Sequence, residues 1–168
     1  MYDLLTTERF VVTLFLGLLA LAVVTDLDEL RIPNRICLLI GFIYPIYVLA
    51  SPEPVNWLGA LAVAAGVFAV GLILFCTGTM GGGDVKLMAV TALWAGPSSV
   101  LSFLVFTTFV GGLIALLMVS SYRFPLAAML GSIGATDLRN ILLGRVIPYG
   151  AAIAAGAYVT IAPVLLGH

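Results

Sequence analysis

Apolar stretches near residues 8–25, 35–50, 56–77, 85–96, 98–120 and 146–166 alternate along the chain with short breaks at prolines, glycine pairs and charges. Runs of this length with few charges predict membrane-spanning helices, because about 20 apolar residues cross the hydrocarbon core of a bilayer. The pattern predicts an all-α, polytopic membrane protein of about six transmembrane helices, forming a single domain over residues 1–168. The fourth stretch is short for a full span, so the glycine-rich turn before it is expected to dip towards the membrane. "SPEP" at 51–54 and "GPSS" at 96–99 have the chemistry of turns. No internal repeat or low-complexity tract interrupts the pattern.

Composition agrees with the pattern. Hydrophobic residues make up 62% of the chain and charged residues 9%, against roughly 25% charged in soluble domains, and the mean hydropathy is +1.22. The lipid bilayer is therefore an expected partner. A net charge of -1 gives no basic footprint for nucleic acid. Cys37 and Cys76 both fall in apolar runs and read as small buried residues, and His168 is the single histidine, so no metal or other cofactor is expected. The opening "MYDLLTTERF" places two acids before its first basic residue, unlike a cleaved signal peptide, so the first apolar run is expected to stay in the mature protein. Arg31, Arg35, Lys86, Arg123, Arg139 and Arg145 fall in or beside alternate connections, leaving Arg9 elsewhere. By the positive-inside rule those connections are cytosolic and both termini face out.

Two acids stand out against this apolar background. Asp26 ends the first helix, and Asp84 follows three glycines in "MGGGDVKLM", 80–88, at the start of the fourth. Ionisable groups at membrane depth are costly and are functional candidates by default. On the predicted topology both acids lie on the same side of the membrane, which makes them a candidate pair. Gly81 and Gly83 allow positive φ or the close approach of another backbone, such as a substrate strand. Lys86 can snorkel to headgroups or steady Asp84, and Asn34 can cap the second helix or hold the turn after Pro33. Asp28 and Glu29 read as solvated interface charges, and Asp137 as an N-cap or surface charge. The 120–145 connection is oily for a loop, so it is expected to lie on the membrane surface or to form a lid.

Three separated stretches resemble the aspartic prepilin peptidases, membrane proteases with a G-x-G-D signature. "GGGDVK" fits G-x-G-D-x-K through Gly81, Gly83, Asp84 and Lys86. In "DLDELRIPN", Asp26 is followed seven residues later by Pro33 of an Ile32-Pro33-Asn34 turn. "IPYGAAIAAG", Ile147 to Gly156, is similar to a Pro-aromatic-Gly segment of the family, with Ala151 where many members have a second proline. The larger bacterial members carry an N-terminal cytosolic domain linked to N-methylation, and none is expected here. The resemblance is closest to short members that serve Flp/Tad-type pili. It implies an aspartic endopeptidase of the bacterial inner membrane, with Asp26 and Asp84 catalytic, whose partner is a prepilin with a basic leader and an apolar helix. Oligomeric state is left open.

The chemistry such a resemblance implies suits two carboxyls. Hydrolysis without a metal or a nucleophile needs one group to take a proton from water and another to polarise the carbonyl, and close carboxyls share a proton. Helix ends suggest the roles: Asp26 lies at a C-terminus, which disfavours charge, and Asp84 at an N-terminus, which favours it, so Asp84 is expected to activate water. Presenilin-type proteases share G-x-G-D but pair it with Tyr-Asp and Pro-Ala-Leu, whereas this chain has Thr25-Asp26 and Pro148-Tyr149-Gly150. A small ion-coupled transporter would use the acids as carriers, but such folds tend to show repeated halves, which are not visible here.

Overall fold

A computed structural model describes residues 2–144 and 148–166. Arg145, Ile147 and His168 lie outside the described residues, as does the side chain of Asp137. The described chain is helical, in the order α1 Tyr2–Glu29, α2 Asn34–Ala50, α3 Trp57–Cys76, α4 Gly82–Val119, α5 Arg123–Ser132, α6 Thr136–Leu143, α7 Tyr149–Thr160 and α8 Ala162–Leu166. By length and composition, Thr7–Glu29, Trp57–Cys76 and Gly82–Val119 can cross a membrane, and Asn34–Ala50 is a shorter apolar helix.

The fourth and fifth predicted helices are the two arms of α4. Gly96 takes φ 60° and ψ -176° inside it, a backbone state open to a residue without Cβ, and Pro97 then opens the second arm with its φ already preset. The chain reverses there. Asp84 and Tyr149 line one cleft, and a methyl at Gly111 would lie 3.5 Å from the Tyr149 ring. A straight helix would instead put about 40 Å between residues 84 and 111. "GPSS" therefore turns the chain as its sequence suggests, but through a single non-helical residue. The last apolar stretch is divided into α7 and α8, since Pro163 cannot donate to the helix ladder and its ring crowds the carbonyl four residues back.

Successive passes place the connections 30–33, 77–81 and 120–122 at one end of the bundle, with α5 and α6 following the last of them. Arg31, Arg35, Lys86, Arg123 and Arg139 belong to that end, whereas Glu8 meets Ser51 at the other, where the Ser51 hydroxyl donates to Glu8 Oε1 at 3.1 Å. The first arm of α4 is the spine, since it is packed by α3, which runs antiparallel to it through Gly71 beside Val85 and Gly59 beside Pro97. On another side, Phe15 of α1 stacks on Trp94 at 4.3 Å and 6°, and Tyr44 and Tyr47 of α2 meet the same indole at 5.5 and 5.2 Å. The Trp94 N–H, which would be costly unpaired in this apolar setting, donates to the Ile40 carbonyl at 3.1 Å. Phe42, Leu49 and Leu101 project outward with 71%, 83% and 73% exposure, as a lipid-facing surface requires.

Cys37 is buried as its apolar run suggests, whereas Cys76 is exposed at the end of α3 because that helix is packed along a single side. The 120–145 connection folds into α5 and α6, with Arg123 Nη1 on the Met118 carbonyl at 3.1 Å.

The second arm of α4 and α7 approach most closely at Gly156, where a methyl would overlap the Thr107 hydroxyl and lie 3.1 Å from the Thr107 nitrogen. Gly156→Ala is expected to destabilise the protein in detergent by about 1–3 kcal/mol. Thr107→Ala should recover part of that loss, which thermal unfolding of the single and double variants will measure.

Candidate functional site

At the basic end of the bundle a cleft of about 600 Å³ is lined by the end of α1, the α1–α2 turn, the α3–α4 connection, the start of α4 and Tyr149. Asp26 reaches it from the last turns of α1 and is 5% exposed. Asp84 reaches it from the first turn of α4 and is half-buried. Asp84 lies near enough to Asp26 to feel its charge. The structure thus brings together the two acids that 57 intervening residues separate in sequence.

Local backbone chemistry shapes the cleft. Leu30 ends α1 in the left-handed region, at φ 51°, a state that costs an L-residue about 1–2 kcal/mol, and its N–H returns to the Asp26 carbonyl at 3.0 Å. This sharp exit turns Ile32 back under the start of α4. Opposite, α3 is closed by Gly78 at φ 73°, with the Thr79 N–H reaching back to the Leu74 carbonyl at 3.1 Å, a glycine C-cap of the Schellman kind. The connection 78–81 then drops into Asp84.

The first and second acidic segments are locked together. A methyl at Gly83 would lie 3.2 Å from Ile32 Cβ and 3.4 Å from the Ile32 carbonyl oxygen. One turn further on, Lys86 Nζ donates to Asn34 Oδ1 at 2.8 Å. Pro33 presents Asn34 by holding extended backbone at φ -62°, ψ 134° as the N-cap of α2. Lys86 is therefore engaged with the α1–α2 turn through Asn34.

Gly81 and Gly83 do not use the positive φ that glycine allows, whereas Gly83 does meet another backbone, that of Ile32. Among the described residues the positive-φ glycines are Gly78, Gly96 and Gly134, whereas Gly81 sits at φ -71°. Their missing side chains serve intramolecular contacts: Gly83 admits Ile32, and at Gly81 a methyl would lie 2.7 Å from Asp84 Oδ2. Gly81 thus makes room for the carboxylate itself.

The residue that sequence reasoning passed over is Gly150. Its N–H donates to Asp26 Oδ2 at 2.8 Å in a buried contact, and a methyl there would lie 2.7 Å from the same oxygen. The first turn of α7 is aimed at Asp26, a favourable place for a carboxylate. The helix-end asymmetry expected between the acids therefore does not hold, since Asp26 closes α1 but faces the start of α7. The signal available was the "PYG" triplet, 148–150, although nothing in its spacing points to Asp26. Asp28 and Glu29 are exposed, and among the described residues those that line the cleft come from α1, the two connections, α4 and α7. Among the described residues, no group of three His, Cys, Asp or Glu side chains is arranged to hold a metal.

A family model described as the type IV leader peptidase family matches residues 13–116. The chain belongs to that family. Over 113 residues, 65% of this chain, it is 34% identical to the prepilin leader peptidase/N-methyltransferase of Bacillus subtilis (strain 168). That match covers 44% of the relative, so the chain spans less than half the length of the curated protein it matches. No solved structure matches the chain. The leader peptidase match contains Asp26, Pro33, Asn34, Gly81, Gly83, Asp84 and Lys86, and it stops short of Tyr149 and Gly150.

The Lys86–Asn34 bond gives a measurable coupling. Lys86→Ala and Asn34→Ala should each destabilise the protein, and the double variant should fall short of their sum by about 0.5–1 kcal/mol. Chemical denaturation in mixed micelles reads this, and strict additivity would show that the two side chains are not bonded.

Proposed function

We propose that this chain is an aspartic endopeptidase that removes the basic leader of Flp/type IVb-like prepilins at the cytosolic face of the bacterial inner membrane. The observation that carries the proposal is the convergence of Asp26 and Asp84 on one cleft at the basic end of an apolar bundle. Family membership supports peptide hydrolysis, and the positive-inside rule assigns the Arg- and Lys-bearing end to the cytosol, with both termini outside. A basic leader would stay on that side while the substrate's apolar helix sits in the bilayer.

In the proposed mechanism the two carboxyls hold one proton between them. The ionised member takes a proton from water as its oxygen attacks the scissile carbonyl, and the protonated member donates to the carbonyl oxygen. Collapse of the tetrahedral intermediate returns a proton to the leaving amine and frees both products. Because Asp26 Oδ2 already accepts the Gly150 N–H, a proton held by Asp26 belongs on Oδ1, on the side free to face Asp84 or substrate. Gly81, Gly83, Lys86, Pro33, Asn34 and Gly150 position the pair.

With purified protein in nanodiscs and a Flp-type prepilin, Asp26→Asn and Asp84→Asn should each lower cleavage by about 10³-fold or more while insertion is unchanged. Asp28→Asn should retain activity. Loss of cleavage in the Asp28 variant with survival in the Asp26 variant would overturn the assignment.

The glycine contacts order a second set of variants. Gly150→Ala, whose methyl meets Asp26, should lower kcat on the order of 10–100-fold. Gly81→Ala should impair turnover more than Gly83→Ala, because the first displaces the Asp84 carboxylate and the second presses on Ile32. Equal rates for all three would remove the positioning role of these contacts.

A further inference from the structure

Among the described residues that line the cleft, none comes from the second arm of α4. That arm nevertheless seats the helix that holds Asp26. Phe103, Thr107 and Gly111 recur every four residues along it, so they share one face, and all three are buried. On α7, Tyr149, Ala152 and Gly156 recur at three and four residues and form the answering face. Away from the cleft, Gly156 lies so close to the arm that an added methyl would overlap the Thr107 hydroxyl and sit 3.2 Å from the Phe103 carbonyl oxygen. Two turns nearer the cleft the contact is looser. A methyl at Gly111 would lie 3.5 and 3.7 Å from two ring carbons of Tyr149 and 3.6 Å from Ala152 Cβ. One carbon therefore fits at position 111, and a branched side chain would press on the ring.

We infer that Gly111 is a positioning residue for Asp26, acting through the Tyr149 ring and the first turn of α7. The peptide unit that joins Tyr149 to Gly150 carries the N–H that donates to Asp26 Oδ2 at 2.8 Å. Wherever the Tyr149 ring is seated, that N–H goes with it. α7 is packed on α4 and on α1, and each contact with the second arm fixes one of its freedoms. Gly156 against Thr107 stops the helix from sliding. Gly111 against Tyr149 sets how far its first turn stands from the arm, and so where Gly150 meets α1. A shift of that turn by about 1 Å would spoil the hydrogen bond, which weakens steeply with distance and angle, and a misplacement of about that size at a reacting group can cost on the order of 10²-fold in rate. The consequence for turnover rests on the proposed peptidase reading, whereas the hydrogen bond can be followed without it.

The test reads the hydrogen bond and the turnover separately. NMR of protein labelled with 15N-glycine in nanodiscs follows the Gly150 amide. Gly111→Val should move the Gly150 amide proton in the direction seen for Asp26→Ala, and should lower kcat on a Flp-type prepilin about tenfold with KM little changed. Both effects should be smaller in Gly111→Ala, whose methyl fits, and largely absent when Gly111→Val is made in a Tyr149→Ala background, where the ring is gone. Gly112→Val, on the outer side of the same arm with nothing within 4 Å of its Cβ, should match wild type. If Gly111→Val does not fold, Tyr149→Trp enlarges the same contact from the other side and carries the same expectations. A lower thermal midpoint with an unmoved Gly150 signal and unchanged kcat would make Gly111 a packing residue only and sink the inference. A raised KM with the signal unmoved would mean that the ring blocks the cleft instead of setting Asp26, which is equally fatal, as are losses of the same size with and without the ring. Wild-type protein that cuts no prepilin would count against the peptidase reading, while the Gly150 signal still decides whether Gly111 sets the Asp26 contact.

Discussion

A carboxylate withdrawn from water must find donors within the protein, and Asp26 finds one in the Gly150 N–H, 124 residues away in sequence. The contact joins the end of α1 to the start of α7 and leaves no space for a Cβ. It also fixes which Asp26 oxygen remains available to the cleft. The rest of the site is arranged around that fixed carboxyl: Leu30 turns the chain away from it, Ile32 returns under Gly83, and Lys86, two residues beyond Asp84, holds Asn34. Apart from the Lys86–Asn34 bond, these links run through backbone and glycine positions, which leave no side chain between the segments they join.

The same use of small residues runs through the bundle. In lipid there is little hydrophobic gain from bringing one apolar helix to another, and close van der Waals approach takes its place. Gly71 against Val85, Gly59 against Pro97 and Gly156 against Thr107 are such approaches, and they hold the two arms of α4 between α3 and α7. The aromatic group around Trp94 works in the other half, tying α1 and α2 to the same spine. With α4 fixed from both sides, α2 and α3 can remain apart.

Charge follows a simpler rule. Positive residues gather at the end that carries the cleft, and the opposite end joins Glu8 to Ser51. This arrangement accords with an orientation set by the cost of moving Arg and Lys across the membrane.

The sequence by itself determined the class, the positions of the apolar helices, the reversal at "GPSS" and the two acids, because each is written in a local pattern: hydropathy over some twenty residues, turn chemistry, or a charge in an apolar run. It also marked Gly81, Gly83, Pro33, Asn34 and Lys86 as a group. Their work was not legible. That Gly81 yields space to Asp84, that Gly83 admits Ile32 and that Lys86 bonds Asn34 depends on which segments meet, and no spacing encodes this. Tertiary structure likewise decided the role of Gly150, the exposure of Cys76 and the folding of the 120–145 connection into two short helices. Helix-end electrostatics read from sequence failed for the same reason: a carboxyl responds to every helix terminus around it, and the start of α7 reaches Asp26 only once the bundle has formed.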